Sequence, residues 1–423
     1  MREAMRERRS FRRLVLAQFL GAFNDNAFKQ LVLLLAVDQT RDQSGGSYQA
    51  IATALFALPF LLFSGFAGNL ADRFSKTRVI QLSKFAEIVV MALGAVAFGF
   101  GSMPLLLGIV FLMGAQSAFF GPAKYGILPE MLPRRHLSRA NGVILMTTFL
   151  SIILGMAAAG ILRDLLGEDL YKPQLVYVAL AVAGTMSALG IRRMAPAEPT
   201  LAVTGRPFGD LFSTLRSIVA DRSFLCVVMA NSYFWFLGGV VQQTINVYGR
   251  RLINLSNTGT SLLLVSLSVG MAAGSVLGGM ISRDRLRLGL TDAGAVIFIV
   301  SLTGLTWAHH HPVLAHAGLV ALGIGGGLYG LPLQTCVQMW PPEEEKGRVV
   351  AAVNFVNWIF IFLSAGYFAL GSVVFAGSAE YIPASLAVIS LGTAVVLRPR
   401  LRSAARKLQG RGKSSQVTES AAS

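Results

Sequence analysis

Four polar residues interrupt the apolar stretch FLGAFNDNAFKQLVLLLAV (19–37): Asn24, Asp25, Asn26 and Lys29. A charged side chain at bilayer depth costs about 2.5–3.5 kcal/mol on insertion scales, so each charge there needs a partner or a wet surface. Asp25 and Lys29 are four residues apart with the acid on the N-terminal side, a spacing that lets them neutralise each other on one helix face. Lys84 and Glu87, three apart in a later apolar stretch, read as a second self-neutralising pair. The Asn24–Asp25–Asn26 triplet differs, because three consecutive residues sweep roughly 200° around a helix, more than one ion pair occupies. Such a turn suits the wall of a water-filled cavity. Lys124 lies in GPAKYG (121–126), where Pro122 removes a backbone donor and predicts a locally opened helix. From there the lysine either snorkels to the interface or aims its charge at a cavity.

Weaker candidates follow. Gln242, Gln243 and Asn246, with Tyr248, form a polar row that suits either a second cavity wall or hydrogen bonding between helices. Asn354 and Asn357, three apart, are expected to pack against a neighbouring helix. GIGGGLYGLP (323–332) reads as close helix packing or a hinge; it is no phosphate loop, since no GK[ST] follows. The run His309–His311 lacks a second set of ligands, so a pH-sensitive loop is expected there, with no metal site and no cofactor.

The elements that must carry these residues are membrane helices. The chain is 54% hydrophobic and 14% charged over 423 residues, and its mean hydropathy is +0.60. Soluble domains carry about 25% charged residues. Apolar stretches fall at 14–38, 49–70, 79–100, 104–128, 140–162, 174–191, 223–247, 259–281, 290–308, 312–336, 349–371 and 379–397. Each approaches the roughly 20 residues that a spanning helix needs. Cys226 and Cys336 both lie inside such stretches and are expected as small core residues.

Charge sets the expected orientation. With the N-terminus inside, 29 of the 37 Lys and Arg fall in inner segments and 5 in outer loops, which places both termini in the cytoplasm. The net charge of +16 is thus a topology signal, with the basic tail suited to anionic lipid, and no nucleic-acid partner is expected. The basic N-terminus precedes an apolar stretch, as in a signal peptide, but no A-x-A site follows and no cleavage is expected. No Walker motif is present, so direct ATP hydrolysis is excluded.

The chain divides near its middle. Pro196, Pro199 and Pro207 mark a connection at 192–222 between a first six-helix bundle (1–191) and a second (223–397), with a basic, unstructured tail expected at 398–423. The halves echo each other. GPAKYGILPEMLPRRHLSRAN (121–141) has a counterpart in GLPLQTCVQMWPPEEEKGRVVAAVN (330–354), and GNLADRFSKTR (68–78) has one in GMISRDRLRLG (279–289). Repeated halves of this kind are the build of secondary transporters.

GNLADRFSKTR resembles the G-x-x-x-D-R-x-G-R-K-x-R signature between spans 2 and 3 of the major facilitator superfamily, with Ser75 where that pattern has a glycine. The resemblance implies an all-α membrane fold of twelve transmembrane helices in two six-helix bundles, with Asp72, Arg73 and Arg78 latching an inner gate. FLGAFNDNAFKQ, GPAKYGILPEMLP, LSRANG with TTFLSIILG, and GRVVAAVNFVN are similar to the bacterial lysophospholipid transporter family. That likeness implies a non-enzymatic carrier of the bacterial inner membrane that moves lysophospholipids inward by alternating access, beside a separate acyltransferase that uses them. Leu145 stands where that family usually has a glutamate. Acyltransferase domains fused to some family members need a histidine with an aspartate five positions on, and no histidine here has one. In the facilitator fold spans 1 and 4 line the central cavity, so the resemblance sets Asp25 and Lys124 facing each other, with Asn24, Asn26 and Lys29 beside them. The alternative reading is a proton-coupled exporter of small amphipathic solutes with Asp25 as the titrating group.

Overall fold

The structure, a computed structural model, describes residues 2–39, 45–132, 134–167, 171–196, 209–282, 287–308, 311–342, 346–375 and 380–422. Among them the regular elements are all helical: α1 (Arg2–Gln39), α2 (Gly45–Arg73), α3 (Lys76–Gly99), α4 (Met103–Met131), α5 (Arg134–Leu166), α6 (Tyr171–Leu189), α7 (Gly209–Ala220), α8 (Arg222–Val247), α9 (Asn257–Ser282), α10 (Gly289–Trp307), α11 (Pro312–Met339), α12 (Lys346–Val374) and α13 (Tyr381–Ala422). Ten of them contain a stretch long and apolar enough to cross a membrane, and the chain is a multi-pass membrane protein. Helices α1 and α6, both expected as spans, fall short of that measure, since Asp25 and Lys29 interrupt α1 and α6 opens on the polar run YKPQ. Helix α7 was not expected as an element. It begins beyond the three prolines of the connection and buries Thr214 and Ile218 while exposing Phe212 and Val219.

The chain forms two compact units: 1–208 with 249–265, and 209–248 with 266–423. In the first unit α1 packs against α5, α6, α2 and α4, while α3 packs against α4 and α6. Two apolar clusters build its core. One holds Phe28, Leu31, Met91, Phe98, Leu106 and Tyr177, with the Phe28 ring edge-on to Phe98 at 5.6 Å. The other holds Leu14, Ile80, Ile127, Ile144 and Ile191. Along α1, α3, α4 and α6 the polar residues Asn24, Asp25, Lys84, Glu87, Gln116, Ser117 and Thr185 fall between the two clusters, so a polar layer is sandwiched in an apolar bundle.

Segment 249–265 joins this unit through polar contacts. The Arg250 guanidinium donates to Asp38 Oδ1 at 2.6 and 3.0 Å and to the Leu255 carbonyl at 2.9 Å. Asp164 accepts from the backbone N–H of Asn257 at 3.2 Å and of Thr258 at 2.7 Å, and from Asn257 Nδ2 at 2.7 Å. A carboxylate there meets the unpaired donors that open α9.

In the second unit α8 packs against α12, α13 and α11, and α10 against α11 and α13. Asp221 caps α8 by accepting from the N–H groups of Ser223 and Phe224, and Trp340 Nε1 donates to its other oxygen at 3.2 Å. Asn357 accepts from Asn231 Nδ2 at 3.1 Å and Ser232 Oγ at 2.8 Å, the helix packing expected of it. Cys226 and Cys336 are buried free thiols. Helix α13 runs on past Leu397, with Leu401 and Ala404 buried and Arg398 and Arg402 paired to Asp292.

The glycine-rich run of α11 is a packing seam. A methyl on Gly323 would strike the Leu267 carbonyl, and one on Gly327 would strike Ser275 N, while Gly270 and Gly274 of α9 meet the carbonyls of Val320 and Ile324 in the same way. Small residues let membrane helices approach closely, where attraction depends on contact. Gly323→Ala should therefore push α9 from α11 and cost about 1–3 kcal/mol, the usual range for overpacking. A melting temperature in detergent equal to that of the parent protein would show that α9 and α11 are not so tightly seated.

Candidate functional site

The polar layer of the first unit is assembled from four helices. Lys84 and Glu87, both 1% exposed, form a buried ion pair one turn apart on α3, as their spacing implied. Room for the ammonium comes from missing side chains: a Cβ at Gly21 would collide with Lys84 Nζ, and one at Gly184 would lie 3.2 Å from it. Gln116 Nε2 of α4 donates to Glu87 Oε2 at 3.1 Å. Asn24 Nδ2 of α1 donates to the Tyr177 carbonyl at 3.1 Å and to Glu87 Oε1 at 3.4 Å. Ser117, next to Gln116, has its hydroxyl against both Asp25 Oδ2 and Gln116 Oε1. The second carboxylate oxygen of Asp25 is buried and accepts no hydrogen bond among the described residues.

The basic residues near Asp25 are placed against rings. Lys29 Nζ lies 4.9 Å from the centre of the Phe56 ring on α2. Lys124 Nζ lies 4.6 Å from the Tyr125 ring and 5.8 Å from the Phe120 ring. Such cation–π contacts help to hold a charge in apolar surroundings. Lys124 and Lys29 are both within electrostatic reach of Asp25, and both are half-buried. The arrangement can thus meet a ligand that carries both signs of charge and an apolar body.

The triplet of α1 separates by role. Asn24 and Asp25 face the polar layer, whereas Asn26 donates to the Ala22 carbonyl of its own helix at 2.7 Å. Helix α4 runs unbroken through Pro122, so the local opening expected at GPAKYG does not occur. Membrane helices tolerate proline where neighbouring groups make up for the lost donor. In the second unit Gln243 is buried and donates to the Gly239 carbonyl at 3.1 Å, Asn246 is buried, and Gln242 is half-buried. Of the expected gate, the Asp72 side chain lies outside the described residues, Arg73 sits 5.5 Å from the Phe74 ring, and Arg78 is exposed. Beside them Lys76 pairs with Glu130 at 2.6 Å and ties the start of α3 to the end of α4. His309 and His310 lie outside the described residues, while His316 shares a hydrogen bond with Ser266.

Sequence reading passed over Gln116 and Ser117. Their signal was a polar pair, GAQSAFF, in the middle of an otherwise apolar helix.

Residues 14–365 match the Major Facilitator Superfamily. The chain belongs to that superfamily. Its similarity to curated relatives is spread over most of its length. It is 28% identical over 374 residues to the lysophospholipid transporter LplT of Shigella dysenteriae serotype 1 (strain Sd197), covering 85% of this chain and 88% of the relative. The LplT of Escherichia coli O1:K1 / APEC is likewise 28% identical, over 372 residues, with 85% and 88% covered. Among solved structures, the fold is similar to a bacterial homologue of the human lysosomal transporter Spinster in an inward-facing, unoccupied conformation. That likeness has a TM-score of 0.68 at 15% identity and covers 95% of this chain and 94% of the other. It is also similar to a mutant form of the nucleoside transporter NupG, with a TM-score of 0.72 at 11% identity over 92% and 99% of the two chains. These likenesses show the facilitator fold, and the matched proteins are transporters, not enzymes.

Proposed function

We propose that this superfamily member carries lysophospholipids inward across the bacterial inner membrane by alternating access, with both termini in the cytoplasm. The observation that carries the reading is the polar layer with Asp25 and its flanking lysines, set in a bundle that is otherwise apolar. The names of the curated relatives support it. A lysophospholipid has one acyl chain, a phosphate and a head group. In this reading Lys124 meets the phosphate, and the Phe120 and Tyr125 rings beside its ammonium suit an acyl chain. Asp25, one of whose oxygens accepts no hydrogen bond among the described residues, meets an ethanolamine ammonium in this reading. Direct hydrogen bonds between such charged groups are the strong ones. A separate acyltransferase on the inner face is the class of enzyme that would consume the delivered lipid.

Purified protein in liposomes should take up fluorescent lysophosphatidylethanolamine, and unlabelled lysolipid should compete for that uptake. Flux of small amphipathic drugs in a pH gradient, with none of the lysolipid, would overturn the reading in favour of a proton-coupled exporter.

A further inference from the structure

Helix α7 takes no part in the polar layer, and its residues suit a different place. Its run Leu211–Ala220 is apolar but too short to span, and Asp221 alone separates it from the start of the α8 span. It packs against α8 and α12 of its own unit, burying Thr214 and Ile218. Phe212 and Val219 are seven residues apart, hence on one side of the helix, and are 61% and 58% exposed. Arg216 lies between them along the axis, about 50° further round, and is exposed as well. A short helix with this distribution fits the plane of a membrane interface, its apolar stripe among acyl chains and its basic side chain among head groups.

Helix α13 brings charge to the same corner. Past Leu397 its basic residues fall on two flanks of a buried stripe formed by Leu401 and Ala404. Arg398 and Arg402 take one flank and pair with Asp292 of α10. Arg400 and Lys407, seven apart, take the other, beside the start of α8. Arg400 is within electrostatic reach of Cys226, and Lys407 Nζ lies 3.8 Å from Asp221 Oδ1. Ser217, Ala220, Asp221, Arg222 and Lys407 line an open cleft of about 660 Å³. Its acid is already engaged: Asp221 Oδ1 caps α8, and Oδ2 accepts from Trp340 at 3.2 Å. Arg216, Arg222, Arg400 and Lys407 are all exposed, so among the described residues four positive charges stand around one committed carboxylate.

We propose that α7 lies in the membrane interface and that its corner with α8 and α13 is a docking site for an anionic membrane lipid. The phosphate would sit in the cleft between Arg222 and Lys407, with Arg216 beside it, and the acyl chains would run along Phe212 and Val219. The apolar stripe next to the basic cleft is what favours a lipid over a soluble anion. With the termini placed as proposed above, the lipid belongs to the cytoplasmic leaflet. The site is separate from the polar layer, which lies in the first unit, and its occupant is a resident lipid that the protein does not carry.

The test places the full-length protein in phosphatidylcholine nanodiscs with a fluorescent thiol dye on Val219→Cys; Cys226 and Cys336 are buried. Brominated phosphatidylcholine and brominated phosphatidylglycerol are then titrated as quenchers. Both should quench, because residue 219 faces acyl chains, and phosphatidylglycerol should do so at a much lower mole fraction. Arg216→Gln, Arg222→Gln and Lys407→Gln should each raise its midpoint roughly fivefold, as expected for one basic residue at an anionic surface. Added salt should narrow the gap between the two lipids. Arg398→Gln, on the flank that Asp292 serves, should leave the midpoint where it is, and melting temperatures confirm that each variant is folded. No quenching by either lipid would overturn the interfacial placement of α7. Equal midpoints for the two lipids in the parent protein would mean that the protein's own acids serve the basic flank, and the site fails. Equal losses from Arg398→Gln and Lys407→Gln would reduce the effect to general attraction by a basic helix end, and the site fails again.

Discussion

Replacing Asp25 by Asn should lower uptake of labelled lysophosphatidylethanolamine at least tenfold per folded molecule. The substitution keeps the shape of the side chain and its contact with Ser117 but removes the charge that is proposed to meet the ligand. A hydrogen bond to a charged group contributes about 1.5–3 kcal/mol, and each 1.4 kcal/mol is tenfold in affinity. Lys124 lies within electrostatic reach of Asp25, and the two are proposed to grip opposite charges of one head group. Lys124→Gln should therefore also lower uptake, and the double variant should lose little more than the worse single one. Residues that act as a unit are non-additive. Independent losses that multiply would dissolve the pairing. The competing role for Asp25 is to neutralise Lys29 during insertion. In that case Asp25→Asn would reduce the amount of protein in the membrane, while uptake per molecule survived.

The second large effect is on stability. Lys84→Met should destabilise the protein by about 3–5 kcal/mol, the cost of leaving one member of a buried ion pair without the other. Both side chains are 1% exposed, and the space around Lys84 Nζ is bounded by Gly21 and Gly184, so water has no ready access to the stranded carboxylate. Methionine fills most of the lysine volume, which keeps a cavity from confusing the result. Combining Lys84→Met with Glu87→Leu removes both charges and should recover much of the loss, since apolar replacements for a whole buried pair are often neutral. Thermal melts of the purified variants in detergent report this directly. A double variant as unstable as the single one would mean that the carboxylate of Glu87, with its contacts to Gln116 and Asn24, carries the stability, and the ion pair does not.

The two substitutions separate the parts of one polar layer. Asp25 is the member of the layer proposed to meet the ligand, and its loss should spare the fold. Lys84 and Glu87 stand at the end that holds the helices together, and breaking their pair should cost the fold first. Gln116 and Ser117 connect the ends.

Much of this protein was legible in the order of its residues because it depends on near neighbours. Hydropathy over about 20 residues located α1 to α6 and α8 to α13, and α1 and α6 were found that way even though polar residues within them leave them short of an independent span. The pairing of Lys84 with Glu87 followed from helical spacing, and the burial of Cys226 and Cys336 from their apolar surroundings. Helix α7 was obscured by the prolines that precede it. What the residues could not convey was azimuth. A membrane helix is apolar on the side facing lipid and on the side facing its neighbours, so no stripe marks which face meets which helix. Only the packed bundle brings Ser117 to Asp25 across 92 positions, Gln116 to Glu87 across 29, and Lys29 to the ring of Phe56. Only the packed bundle also shows Gly323 and Gly327 interlocked with α9, and α4 unbroken at Pro122. Asp25, Lys84, Glu87 and Lys124 were visible one by one and Gln116 and Ser117 were passed over; their connection into a single layer depends on how the helices are turned against each other.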